Sequence, residues 1–159
     1  MMTEVCLFYG FSSGNPSQIL PVLAAILLPF AVMQVAVHKL RQDVELPEFH
    51  TPGSVGFDLA AAEDVILAPD EITMIPTGLV IETPPGFALV LASRSSAPRK
   101  FGITPPHGIG IVDQDYSGPE DEIRILVRNF TAHSVSIPRG TRIAQGMFVR
   151  AEQAAFVDS

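Results

Sequence analysis

The sequence predicts an all-β fold, a distorted jelly-roll-like β-barrel, over residues 33–159. Three observations carry that expectation. Short apolar runs alternate with polar positions at a period of two, and most of the chain's 14 prolines and 12 glycines punctuate them. No stretch of 33–159 offers a long apolar face at the 3.6-residue helical period.

The elements follow in order. Val35 and Val37 alternate with Gln34 and Ala36, giving a first short strand. Residues 72–82 are rich in β-formers but are interrupted at Pro76 and Gly78, which predicts a break. Phe87, Leu89 and Leu91 alternate with Ala88, Val90 and Ala92, so both faces are apolar and the strand should be buried on both sides. Ile123, Ile125 and Val127 alternate with Glu122, Arg124, Leu126 and Arg128, the pattern of a half-exposed strand. Runs at 135–138 and 142–149 complete the set, without internal repeat.

At 159 residues the chain suits one domain, and 47% hydrophobic residues supply a core. Only 17% of residues are charged, which points to surface covered by something other than water, such as sister subunits. A net charge of −7 argues against nucleic acid or an anionic membrane as partner. It leaves room for a small polyanion neutralised locally by a few cations and a metal. Cys6 is the single cysteine, so no internal disulfide or cysteine zinc site forms, and a cytoplasmic compartment is expected.

Residues 1–32 differ from the rest. They carry one charge, Glu4, and the first Lys or Arg is Lys39, so the basic start of a secretory signal is missing. The apolar run 19–33 is cut by Pro21 and Pro29 and falls short of the roughly 18 apolar residues of a membrane span. The expectation is an extension without function, with native translation from Met33; an anchor or partner-binding helix is the alternative.

Four clusters carry polar groups able to do chemistry. GSVGFDLAA at 53–61 offers Asp58 after two glycines, either a carboxylate for a metal or its waters, or an aspartate in a turn. SRSSAPRKFG at 93–102 follows the apolar strand with Arg94, Ser95 and Ser96. If a short helix starts there, Ser95 is its N-cap, Pro98 is tolerated in its first turn, and its N–H groups with Arg94 suit phosphate; the alternative is a capped turn with solvated arginines. GIGIVDQDYSG at 108–118 sets Asp113 and Asp115 two apart, on one side if the strand continues. Asp113 is a candidate general base and Tyr116 a ring for a sugar, while Asp115 is read as opening a turn. RGTRIAQG at 139–146 puts Gln145 among apolar neighbours, where its amide needs partners. The four histidines show no metal-ligand spacing.

In this order and spacing the clusters resemble motifs one to four of the trimeric dUTPase family, spanning about 34–150. The resemblance implies hydrolysis of dUTP to dUMP and pyrophosphate with Mg2+, in a homotrimer whose sites are shared between subunits. By position, Asp113 matches the base that activates water. Tyr116 matches the ring under the deoxyribose. Arg94, Ser95 and Ser96 match the phosphate-binding loop, Gln145 a phosphate contact, and Asp58 a contact to magnesium through water. The hairpin at about 103–112, with His107, Gly108, Gly110 and Ile111, matches the segment that reads uracil through its backbone.

The chain departs from the family pattern at several points. Phe57 stands for a tyrosine, Ser96 for a glycine, and 119–121 lengthen the turn after motif three. The glycine-rich fifth motif is not matched within the 159 residues, which end AEQAAFVDS, so a nucleotide-binding trimer without turnover is an alternative. A related dCTP deaminase is another, since RSSAPR has that family's spacing. That enzyme needs a glutamate three residues before an asparagine, and Leu126 stands there relative to Asn129.

Overall fold

The computed structural model describes residues 33–158, so the expected extension at 1–32 lies outside the described residues. Every element belongs to one compact unit spanning Val35–Ser159. In chain order the strands are β1 Val37–Lys39, β2 Phe57–Ala60, β3 Val65–Leu67, β4 Ile72–Pro76, β5 Leu79–Ile81 and β6 Phe87–Ser93. A short helix α1, Ala97–Phe101, follows. Then come β7 Ile103–Thr104, β8 Gly110–Val112, β9 Arg124–Asn129, β10 Val135–Ile137 and β11 Arg142–Arg150.

All pairings are antiparallel. A four-stranded sheet runs β2-β11-β6-β8 and a three-stranded sheet β4-β9-β7, with two-stranded ladders β1-β5 and β10-β3. The all-β jelly-roll expectation is met, but the ladders among the described residues do not join into a closed barrel. The physical reason is strand length: several strands are only two or three residues long, too short to carry the register around a closed ring.

The sequence signals act where expected. β4 ends at Pro76, and β5 starts after Thr77 and Gly78, whose backbone Gly78 N–H is held by Glu122 Oε1 at 2.7 Å. β9 starts one residue after Ile123 and alternates as predicted, with Ile125 and Val127 buried and Arg124 and Arg128 exposed. α1 ends at Gly102, which takes the left-handed conformation at φ 65°.

The core joins Leu59, Leu67, Ile75, Ile81, Leu89, Ile103, Ile137 and Ile143 from both larger sheets and the flanking ladders. Phe57 packs edge-on against Phe49 and beside Phe148. Gly146 makes this possible, because a side chain there would come within 2.6 Å of the Phe57 ring. Phe57 is 4% exposed, so its departure from tyrosine removes a hydroxyl that this apolar cluster would have to satisfy.

One expectation fails. β6 is not buried on both sides in the single chain: Leu89 is fully buried, whereas Val90, Leu91 and Ala92 are only half-buried. Across the outer sheet face Val90 stands opposite Ile111 of β8 and Met147 of β11, and Ile111 is 64% exposed. Val149, two residues beyond Met147, is exposed on that face as well.

Candidate functional site

β11 runs between β2 and β6 and brings three of the four clusters side by side. Gln145 of β11 lies opposite Asp58 of β2 and Ala92 of β6. Directly opposed residues in an antiparallel pair share a sheet face, so Asp58, Gln145 and Ala92 form one row. Arg94, two residues past Ala92, returns to that row. Its Nε forms an ion pair with Asp58 Oδ1 at 2.7 Å. Arg142 Nη1 donates to Asp58 Oδ2 at 3.1 Å. The Asp58 side chain is 14% exposed, so both oxygens of a nearly buried carboxylate are committed to arginines.

Past Arg94 the chain turns into α1. Ser96, not Ser95, occupies the N-cap position, and its side chain makes no cap hydrogen bond. The turn is closed by backbone instead, Ala97 N–H to Arg94 O at 3.0 Å and Lys100 N–H to Ser96 O at 2.9 Å. Ser95 is exposed and Ser96 half-buried, so both hydroxyls remain available to a ligand.

The third cluster forms a separate cavity of about 380 Å³. His107, Gly110, Ile111, Asp113 and Tyr116 line it, together with Glu122, Arg124 and Leu126. The hairpin expected at about 103–112 is instead a loop crossing between sheets, because β7 pairs with β9 and β8 with β6. Gly108 lies in that loop, its N–H bonded to Pro105 O at 3.3 Å. Asp113 follows the last residue of β8, and the chain turns at once: Tyr116 N–H reaches Asp113 O at 3.4 Å. The strand therefore does not continue through Asp115. Asp115 lies in that turn, so the same-side argument for Asp113 and Asp115 does not apply, and the turn reading for Asp115 holds. The Asp113 side chain is exposed, and among the described residues no hydrogen bond or ion pair engages its carboxylate. Tyr116 donates its hydroxyl to Glu122 O at 3.3 Å, leaving a face of the ring open at 42% exposure.

The predicted residues thus fall into two groups. Asp58, Arg94 and Gln145 meet on the sheet face beside Ser95 and Ser96. Asp113, Tyr116, His107, Gly110 and Ile111 line a cavity to which none of those five, nor Gly108, contributes. Two participants escaped sequence reasoning. Arg142 was read only as a strand residue. Glu122 was read as pointing outward, yet it is 9% exposed, with its second oxygen held by Arg124 Nε at 2.8 Å. Alternation with Ile123 misled here, because Glu122 lies in the turn before β9, where its carboxylate is folded under Gly78.

Both arginines of the fourth cluster are spoken for. Arg139 pairs with Asp43 and Arg142 with Asp58. The hydrogen bond from Arg41, aided by the Arg139 and Arg41 charges, holds the Asp43 carboxyl below its usual value. Among the described residues no three His, Cys, Asp or Glu side chains gather to hold a metal. Nor is any described helix long and apolar enough to cross a membrane.

The family model for dUTPase matches residues 42–159. The chain belongs to the dUTPase family. A deoxyuridine 5'-triphosphate nucleotidohydrolase of Thermobifida fusca is 39% identical over 130 residues, covering 81% of this chain and 71% of the relative. That of Lactococcus lactis is 40% identical over 119 residues, covering 73% of this chain and 79% of the relative. Among solved structures, the dUTPase from Streptococcus mutans superposes with a TM-score of 0.69 at 30% identity, over 74% of this chain and 98% of that one. A dUTPase from phage phi11 of S. aureus shares the fold, with a TM-score of 0.72 at 22% identity over 80% of this chain. The chain is a dUTPase-family hydrolase.

Against that family frame the deaminase alternative loses its chemistry. Leu126, where the deaminase carboxylate would stand, lines the cavity with an alkyl side chain. Asn129 is fully buried and spends its amide on backbone groups.

Proposed function

We propose that the chain hydrolyses dUTP to dUMP and pyrophosphate at a site assembled between subunits of a homotrimer. The observation that carries the mechanism is the unpaired Asp113 carboxylate beside the cavity of about 380 Å³, which is within the roughly 300–1,000 Å³ of ordinary ligand pockets. Asp113 accepts a proton from a water as that water attacks the α-phosphorus. The bond from the α-phosphorus to the bridging oxygen breaks, and the bridging oxygen leaves on pyrophosphate.

Uracil lies against the segment of His107, Gly108, Gly110 and Ile111, whose backbone matches the acceptor, donor and acceptor along the edge of the base. Cytosine reverses part of that pattern, and a 5-methyl group collides with a close-fitting segment. The Tyr116 ring packs under the deoxyribose and leaves no space for a 2′-hydroxyl. Arg94, Ser95, Ser96 and Gln145 hold the phosphates, and the guanidinium offsets charge as it develops on the leaving group.

The donor set fits a cation brought in by the nucleotide rather than a resident metal, since among the described residues no three ligands gather and Asp58 faces two arginines. Asp58 is the residue that would hold the waters of a magnesium ion carried by the triphosphate, and that ion would supply charge neutralisation. A phage phi11 dUTPase of the same fold coordinates a structural Mg(II) ion.

The trimer reading rests on the outer sheet face. The Asp58–Gln145–Ala92 row adjoins the apolar patch of Val90, Ile111, Met147 and Val149. A neighbour covering that patch brings its own Asp113 loop toward these phosphate ligands, which reunites the two groups separated in one chain. Val90→Glu is then expected to convert trimers to monomers in analytical ultracentrifugation and to abolish turnover. A variant that stays trimeric moves the interface elsewhere. A net charge of −7 supports a small-molecule substrate over nucleic acid or membrane. The catalytic domain is 33–159, and the compartment is cytoplasmic.

The test is pyrophosphate release from dUTP, dCTP, dTTP and UTP with magnesium. Release from dUTP alone is expected. Equal release from UTP would remove the role given to Tyr116, and ammonia from dCTP would favour the deaminase.

A further inference from the structure

We propose that Arg142 is a positioning residue for the phosphate site, acting through Asp58 to hold the Arg94 guanidinium in place. The inference rests on the reading of Arg94 as a phosphate ligand.

The strand geometry points to it first. Arg142 and Gln145 are three residues apart, and in a regular strand they would project from opposite faces. In β11 they do not. Gln145 stands opposite Asp58 and Arg142 opposite Ala60, and the register shifts between Arg142 and Ala144. Ile143 is the extra residue of this bulge, and the consecutive burial of Ile143 and Ala144 at 2% and 1% marks it. Asp58 and Ala60, two apart on β2, share a face, so the bulge turns Arg142 onto the face that carries Gln145. Bulges beside functional sites re-aim side chains in this way.

The charges point to it second. Asp58 is a nearly buried carboxylate with one arginine on each oxygen, Arg94 Nε at 2.7 Å and Arg142 Nη1 at 3.1 Å. The closest approach of Arg94 to Asp58 is through Nε, and the phosphate reading assigns its terminal amino groups to phosphate oxygens. With Arg94 alone, Asp58 would carry an unshared charge in a half-dry position, free to take both edges of that guanidinium. Arg142 occupies the second oxygen and fixes which edge of Arg94 stays free. Asp58 is therefore chiefly an anchor for Arg94, and its effect on the phosphates passes through that arginine.

A double-mutant cycle on the full chain tests this, read as the Kd of a non-hydrolysable α,β-imido analogue of dUTP with magnesium in isothermal titration. Arg142→Gln is expected to weaken binding on the order of tenfold, the scale of one misplaced charge-assisted contact. In the Asp58→Asn background the same change is expected to alter Kd by less than about twofold, because the path through Asp58 is already cut. An unchanged Kd in Arg142→Gln overturns the inference. So does a loss that persists in full in the Asp58→Asn background, which would make Arg142 a direct ligand or a distant charge. Should Arg142→Gln fail to fold, Arg142→Lys replaces it with the same two outcomes. A wild-type chain that binds the analogue and hydrolyses dUTP while the cycle is additive defeats this inference alone. One that binds no analogue defeats the functional reading with it.

Discussion

Asp113→Asn is expected to lower the rate of pyrophosphate release from saturating dUTP by about a thousandfold, within the roughly 10²- to 10⁴-fold that a positioned general base contributes. That corresponds to about 4 kcal/mol of transition-state stabilisation. The amide has nearly the shape of the carboxylate but cannot accept the water's proton, so the loss falls on kcat. KM should stay within a few-fold, because the phosphates are held by Arg94, Ser95, Ser96 and Gln145 and the base by the segment from His107 to Ile111. The fold should be untouched as well: Asp113 is exposed and its side chain supports no hydrogen bond among the described residues. A stopped assay for pyrophosphate with the urea midpoint measured in parallel separates the cases. A variant retaining a tenth or more of the wild-type rate would remove Asp113 from the proton transfer.

The separation of Asp113 from the phosphate row in one chain bears on how such variants are read. If sites are shared, mixing Asp113→Asn subunits with a second variant defective at Arg94 creates some sites with both defects and some with neither. Activity would then return in mixed trimers although each parent is inactive. Two defects confined to one site per chain could not complement each other.

Much of this was legible in the sequence, and the reasons are local. Period-two alternation marked β6 and β9, the run at 142–149 marked β11, and Pro76 with Gly78 marked the break between β4 and β5. The order of the four motifs gave the family. What the sequence concealed depends on relations between distant strands. A bulge leaves no mark in composition, so the pairing of Arg142 with Asp58 across 84 positions could not be read. Glu122 alternates correctly with Ile123 yet lies inside, because the turn before β9 folds it under Gly78. β6 has two apolar faces, but one chain covers only one of them. That failure is informative, since the composition had already pointed to surface covered by other subunits.

Asn129→Ala is expected to cost about 3 kcal/mol of stability, at the upper end for single substitutions, because it unmakes a buried hub rather than one contact. Asn129 is 0% exposed. The two hydrogens of its Nδ2 are shared among three carbonyls within reach, Leu67 O at 3.2 Å, Ala68 O at 2.9 Å and His133 O at 2.9 Å. Its Oδ1 accepts from Thr131 N at 2.9 Å and Thr131 Oγ1 at 2.8 Å. One amide therefore ties the end of β9 to the end of β3 and shapes the turn that leads into β10. Alanine leaves these backbone groups without a partner, each at a cost of about 1–3 kcal/mol unless water reaches it. Thr131 and His133 lie nearer the surface and can recruit water, which holds the total near the lower sum. Against the roughly 5–15 kcal/mol of an ordinary domain this is a large fraction. The urea midpoint should fall with little change in slope, while the folded fraction keeps its kcat for dUTP. The opposite result, an unchanged midpoint with a collapsed kcat, would give Asn129 a part in the chemistry. It would also reopen the deaminase comparison in which this asparagine first stood out.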